Sequence, residues 1–187
     1  RALMLARDDA TRALDLDPTT SEAHSVLADV RLMLDADWSG AETGHLRALA
    51  LNSSNVPALR SYGLMLALQA RHAEARSLVE RGRDLDPLCL AMNTALAWTH
   101  YLGGNYDGAI LECRHALEMN PEFISARRVL ACALLTAGRC QEAIGELESA
   151  LIVADAHPVV MSWLAHARAV TGDRDKLRLP FGHRLLV

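Results

Sequence analysis

Eight histidines and four cysteines are the residues of this 187-residue chain whose chemistry would suit a metal site or a nucleophile. Their spacing supports neither. No two histidines stand four apart, as a helical metal pair requires, and Cys89, Cys113, Cys132 and Cys140 include no C-x-x-C step. The Gly-rich loops that cradle phosphates and the G-x-S-x-G turn that exposes a nucleophilic serine do not occur. Gly103-Gly104-Asn105 reads as a turn. Cys113 falls in an apolar repeat and is expected to act as a small buried hydrophobe, with Met4, Met33, Met65 and Met92 as core gap-fillers. The expectation is a chain that is not an enzyme, with no metal and no cofactor.

Composition narrows the classes further. Apolar residues make up 51% and charged residues 22%, which excludes a disordered chain. Aromatics are only 4%, and Ala and Leu supply most of the apolar share, so helix formers dominate and an all-α fold is expected. The net charge is -4 and the 19 basic residues are scattered, so direct nucleic acid binding is not expected. No apolar run approaches the roughly 20 residues that cross a bilayer, and Asp8 and Asp9 follow at once on Arg1 to Arg7, so neither a leader nor a membrane anchor is read here. Reduced thiols in a cytoplasmic protein fit the cysteine pattern. A chain that opens on Arg1 fits a fragment of something longer.

The elements that position these residues repeat. Leu16-Asp17-Pro18, Leu51-Asn52-Ser53, Leu85-Asp86-Pro87 and Met119-Asn120-Pro121 follow one another at steps of 35, 34 and 34. Small residues keep the same beat at Ala13, Ala48, Gly82, Ala116 and Ala150, and seven residues earlier at Ala6, Ala41, Ala75, Ala109 and Ala143. A spacing of seven puts each pair on one helix face, two turns apart, where a neighbouring helix can come close. A second series lies upstream: Leu27-Ala28, Tyr62-Gly63, Leu96-Ala97, Leu130-Ala131 and Leu164-Ala165. Gly104, Gly138 and Gly172 divide the two series, where a helix stop favours Gly. The pattern predicts a lone helix from about Ala2 to Asp15, then hairpins over 21–51, 56–85, 90–119 and 124–154, with Thr19 and Glu22 forming a capping box. A sixth unit opens at Pro158, and Pro180 and Gly182 interrupt its second helix.

These residues resemble the tetratricopeptide repeat family, whose 34-residue unit is a helix-turn-helix with a Leu-Gly/Ala pair, an aromatic, two Ala and a closing Pro. Leu90 to Pro121 matches best, with Leu96-Ala97, Gly104, Tyr106, Ala109, Ala116 and Pro121 in family order and His100 where an aromatic is usual. Ser53 and Asp155 replace Pro, Gly82 replaces Ala, and an extra residue lies near Asp35 to Asp37. The resemblance implies a right-handed α-solenoid of about five stacked hairpins, one domain over 1–178: a half repeat 1–18, repeats 19–53, 54–87, 88–121 and 122–155, a partial capping repeat 156–178, then an irregular tail 179–187. More narrowly, Asp35-Ala36-Asp37-Trp38-Ser39-Gly40-Ala41-Glu42 resembles the longer turn in arrays that follow a bacterial winged-helix regulator, cyclase or kinase domain. The alternative is that Trp38 only packs the turn of an ordinary array.

In this family the first helices of successive units line a concave groove. Register carries that face onto Glu22, Ser25, Asp29 and Leu32, then Arg60, Leu64 and Ala67, then Thr94, Trp98 and Tyr101, then Arg128, Cys132 and Leu135, and finally Ser162 and His166. Trp98 and Tyr101 then stand as an aromatic anchor between Arg60 and Arg128, guanidiniums suited to bidentate grip of carboxylates. The alternative is that Trp98 fills a gap between helices and the arginines are solvated. The Lys and Asn pair by which some family members hold a chaperone C-terminus is missing, since the chain's single lysine is Lys176. Cys132 is the one thiol in the groove register, and a dyad with His166 lacks any residue to orient the imidazole. Two functions remain. One is a protein-interaction scaffold that binds a partner peptide or helix in the groove. The other is a C-terminal regulatory module of a bacterial signalling protein. Homodimerisation through the apolar face of Leu3, Leu5 and Ala6 on the terminal helix is a further expectation.

Overall fold

The computed structural model describes residues 1–153 and 158–172, over which ten helices and no strand follow one another. They are α1 (Ala2–Leu16), α2 (Ser21–Asp35), α3 (Trp38–Leu51), α4 (Val56–Leu68), α5 (His72–Leu85), α6 (Leu90–Leu102), α7 (Tyr106–Met119), α8 (Ile124–Thr136), α9 (Cys140–Val153) and α10 (Pro158–Val170). The bounds agree with the hairpins read from the repeat to within a residue or so. None of the helices is long and apolar enough to cross a membrane.

The chain divides into two units, Arg1–Ala95 and Leu96–Val187, with the division inside α6. In the first, α1 packs on α2, α2 on α3, α3 on α4 and α4 on α5, while α2 also meets α4. In the second, α7 packs on α8, α8 on α9 and α9 on α10, while α8 also meets α10. Successive helices therefore rest on one another, and α2 with α4 and α8 with α10 also meet two along, as in a helical repeat.

The small residues of the repeat hold these contacts. Ala41, Ala48, Ala75, Ala109, Ala116, Ala143 and Ala150 lose all solvent exposure, and Gly63 and Gly82 are buried in the same role. At Gly63 the approach is so close that a Cβ would stand 2.5 Å from Val79 Cγ2 and 3.2 Å from the Ala75 carbonyl oxygen. Larger side chains fill what remains: Leu59, Met65, Leu66 and Met92 in the first unit, Leu96, Leu130, Leu134 and Leu147 in the second.

The turn inside each hairpin places one residue in the left-handed region, at Ala36, Ala70, Gly104, Gly138 and Gly172. The spacing is 34 throughout, so the first two repeats meet with Ala a backbone demand that the later ones meet with Gly. The next helix starts two residues later, with its N-terminal flanking residue in between. There Asp37 accepts from the Gly40 N–H and Asn105 from the Gly108 N–H, whereas Arg71 and Arg139 at the same step pair with Glu74 and Glu142.

Several expectations are corrected. The Thr19–Glu22 capping box does not form. α2 begins at Ser21 with Thr20 before it and no side-chain cap, because Thr19 gives both its N–H and its hydroxyl to Asp17 Oδ1 instead. Met65 and Met92 do fill the core, but Met4 and Met33 are exposed, as are Leu5 and Trp38. The second helix read through Leu177, the tail 179–187, Asp155 and Lys176 lie outside the described residues.

Candidate functional site

In the second unit three first helices present one run of partly exposed aromatics and a cation. On α6, Trp98 and Tyr101 meet edge to face with ring centroids 5.4 Å apart, one turn being the distance between them in sequence. Tyr106, the first residue of α7, closes on Tyr101 at 5.8 Å, and the Tyr101 hydroxyl shares a hydrogen with Thr136 Oγ1 on α8 at 3.3 Å. Arg128 on α8 lays its guanidinium over the Trp98 ring at 5.7 Å from the centroid. Such a contact holds an otherwise flexible side chain in place at a worth of about 0.5–1 kcal/mol. Leu135 packs on both core clusters of the unit, beside Trp98 and Tyr101 on one and Trp163 on the other. On α10, Trp163 meets His166 edge to face at 6.0 Å, repeating the α6 pair with imidazole in place of phenol.

Register therefore brings Trp98, Tyr101 and Arg128 together, sets Leu135 against the same core, and leaves His166 exposed on the next first helix. It fails at Thr94 and Cys132 on α6 and α8. Thr94 is buried and turns its hydroxyl back to the Leu90 carbonyl, so it offers nothing outward. Cys132 is buried as well, and burial pushes its thiol up to about 11 against the pull of Arg128, which favours the neutral thiol. Cys113 behaves as expected, with no solvent exposure and a thiol pushed up to about 12. Sequence reasoning missed Trp163, which stands one turn before Ala167; its signal was the repeat of an aromatic-x-x-aromatic step, Trp98 to Tyr101 and Trp163 to His166.

The first unit holds Asp29, Arg60 and Leu64 in a different arrangement. Asp29 on α2 accepts from the Ser61 hydroxyl of α4 at 3.1 Å, and burial raises its carboxyl against the lowering pull of Ser61 and Arg60. Behind it His45 on α3 is wholly buried and stacked on Tyr62 at 5.7 Å. Its Nε2 stands 3.5 Å from Asp29 Oδ1 without the alignment of a hydrogen bond, and Nδ1 has no hydrogen bond either. Desolvation brings this imidazole down to about 4. Tyr62 gives its hydroxyl to Glu42, which also takes Arg71 at 2.7 Å, and burial pushes the phenol up to about 12. Arg71 and Tyr62 hold the Glu42 carboxyl below its ordinary value. Leu64 is half-buried, while Ser25 and Ala67, which register gave to the same face, are buried. In this polar cluster His45 and Tyr62 are buried while the side chains of Asp29, Glu42 and Arg71 stay partly exposed.

Among the described residues no group of three or more His, Cys, Asp or Glu side chains is placed to hold a metal ion, and all four cysteines are free thiols.

The tetratricopeptide repeat model matches residues 69–122, which span α5, α6 and α7 and include Trp98 and Tyr101. No curated protein sequence matches the chain. Among solved structures, PilW, a type IV pilus biogenesis factor, is similar with a TM-score of 0.80 and 18% identity over 94% of this chain and 81% of its own. A thermophilic tetratricopeptide protein of Thermus thermophilus is similar with a TM-score of 0.78 and 22% identity, covering 90% of this chain and 89% of that one. YrrB, described as a tetratricopeptide protein with an unusual peptide-binding site, gives a TM-score of 0.59 and 18% identity over 90% and 87%. At these identities the likeness is one of fold. Residues 69–122 thus match the tetratricopeptide repeat in sequence, and the chain as a whole has an all-α helical-repeat fold like that of solved tetratricopeptide proteins.

Proposed function

We propose that the protein is a protein-interaction scaffold and that the first-helix face of its second unit binds an extended or helical segment of a partner. The observation that carries this reading is the Arg128 guanidinium held over Trp98, with Tyr101 edge-on beside it. Aromatic rings and arginine are the side chains from which binding hot spots are most often built, because each offers large contact area or several donors at small entropic cost. Leu135, half-buried on α8, and the Trp163–His166 pair on α10 add apolar and aromatic side chains on the first helices of this unit. The fold supports the reading in a second way. A stack of hairpins offers a long face of side chains on rigid helices, and YrrB, of like fold, has a peptide-binding site.

The test is a pull-down from lysate with the chain as bait beside a Trp98→Ala, Arg128→Ala variant, read by mass spectrometry. Far-UV circular dichroism establishes that the variant keeps its helices. A partner held by the parent chain and lost from the folded variant is the expected result. Equal capture by both would move binding off this face and refute the proposal.

A further inference from the structure

The sign of the charge on the second unit's first-helix face selects the partner. The chain as a whole is acidic, with a net charge of -4. Yet α8, α10 and the Leu96–Leu102 part of α6 contain no Asp and no Glu. Every described carboxylate of this unit lies on α7, on α9 or in the turn at Glu122.

The arginines divide in the same way. Arg114, Arg127, Arg139 and Arg168 each reach a glutamate of α9: Glu142 at 3.3 Å, Glu146 at 2.9 Å, Glu142 at 2.7 Å and Glu148 at 2.8 Å. Arg128 is the exception among the described arginines of the unit. It has the Trp98 ring beneath it and, among the described residues, no carboxylate in ion-pair reach. A guanidinium held over a ring leaves N–H groups for a ligand, and their fork matches the two oxygens of a carboxylate. The neighbouring rings of Trp98 and Tyr101 suit an apolar side chain.

We infer that this face takes an acidic peptide segment, with an Asp or Glu carboxylate on Arg128 and a flanking apolar or aromatic residue on Trp98 and Tyr101. The inference rests on the peptide-binding reading above and specifies its partner. A basic segment meets Arg128 and finds no carboxylate on the three helices. A nucleic acid strand needs several phosphates neutralised at once, and an acidic chain with one unpaired guanidinium on this face does not offer that. Electrostatic complementarity of this kind fixes the choice and orientation of the partner.

The experiment is selection of a random twelve-residue peptide display library on the immobilised chain and on Arg128→Glu, with circular dichroism to establish folding. The expected pool from the parent chain is enriched in Asp or Glu next to Leu, Phe or Trp, and the pool from Arg128→Glu shifts to Lys and Arg. The best peptide, synthesised, should lose about tenfold or more in affinity on Arg128→Ala and on exchange of its acids for Asn and Gln, and weaken as salt rises. The acid-to-amide peptides measured on the parent chain carry the same test if Arg128→Glu does not fold. Enriched peptides without excess acid, or a pool indifferent to Arg128→Glu, overturn the charge assignment and leave peptide binding standing. A single-stranded oligothymidylate that binds more tightly than any peptide also overturns it. A library from which nothing is enriched overturns both this inference and the peptide-binding reading on which it rests.

Discussion

Acid should destabilise the first unit through one side chain, His45. The imidazole is fully buried, its ring nitrogens make no hydrogen bond, and desolvation lowers it from 6.5 to about 4. A base depressed in the folded state takes its proton first in the unfolded chain. Its contribution is therefore whole above pH 6.5 and lost as pH falls toward 4. Between pH 7.5 and pH 5 the linkage relation gives a loss of about 2 kcal/mol from this group, rising to about 3 kcal/mol below pH 4. Asp29, 3.5 Å away and raised by burial, works in the opposite sense, since its protonation favours the folded state as pH falls. Glu42, held low by Arg71 and Tyr62, loses its contribution as pH falls through the carboxylate range. Comparison with a variant that lacks the imidazole separates the histidine from both carboxyls. The assay is urea unfolding followed by far-UV circular dichroism at the two pH values, for the parent chain and for His45→Leu. The parent should lose about 2 kcal/mol more than the variant between them, and the difference of differences removes the other seven histidines and any change in absolute stability. Equal losses in the two proteins would refute the assignment.

The remaining predictions concern the backbone and the packing of the same unit. Ala70→Gly should raise stability by about 1 kcal/mol in thermal unfolding, because Ala70 holds a φ of 62° that glycine adopts without a Cβ penalty. Asn55→Ala should cost about 2 kcal/mol in denaturant unfolding. The buried Asn55 side chain caps α4 through the Ala58 N–H and donates to Ser21 Oγ at 2.7 Å, while that hydroxyl reaches the Ala48 carbonyl. Gly63→Ala should cost about 1–3 kcal/mol, and Gly82→Ala less. A Cβ at Gly63 meets Val79 and the Ala75 carbonyl, whereas one at Gly82 meets the flexible end of Met92. Thermal melts of the two variants that reverse this order would remove the argument from flexibility.

The repeat itself carried most of the fold. Small residues at Ala41, Ala48, Ala75, Ala109 and Ala143 recur because two helices can come close only where side chains are short, and that demand is local enough to be written at fixed spacing. The glycine stops at Gly104 and Gly138 were readable for the same reason, while Ala36 and Ala70 hid the same turn behind a residue that does not favour it. Thr19 and Glu22 had the spacing of a capping box, but Asp17 is the nearer acceptor and took both donors of Thr19.

Register along a helix determined which residues share a face, and so placed Trp98, Tyr101 and Arg128 as neighbours from sequence alone. It did not determine how deep each one sits. Thr94 and Cys132 lie on the same first helices and are buried, because a helix in a stack is covered on several sides and the width of its open strip depends on where its neighbours rest. Charge pairing was beyond the sequence for a like reason. Arg127 and Arg128 are adjacent residues of one kind, yet they point about 100° apart on the helix, so that one finds Glu146 and the other the Trp98 ring. The burial of His45 against Tyr62 belongs with these: only the packing of α3 on α4 removed its water and lowered its affinity for a proton.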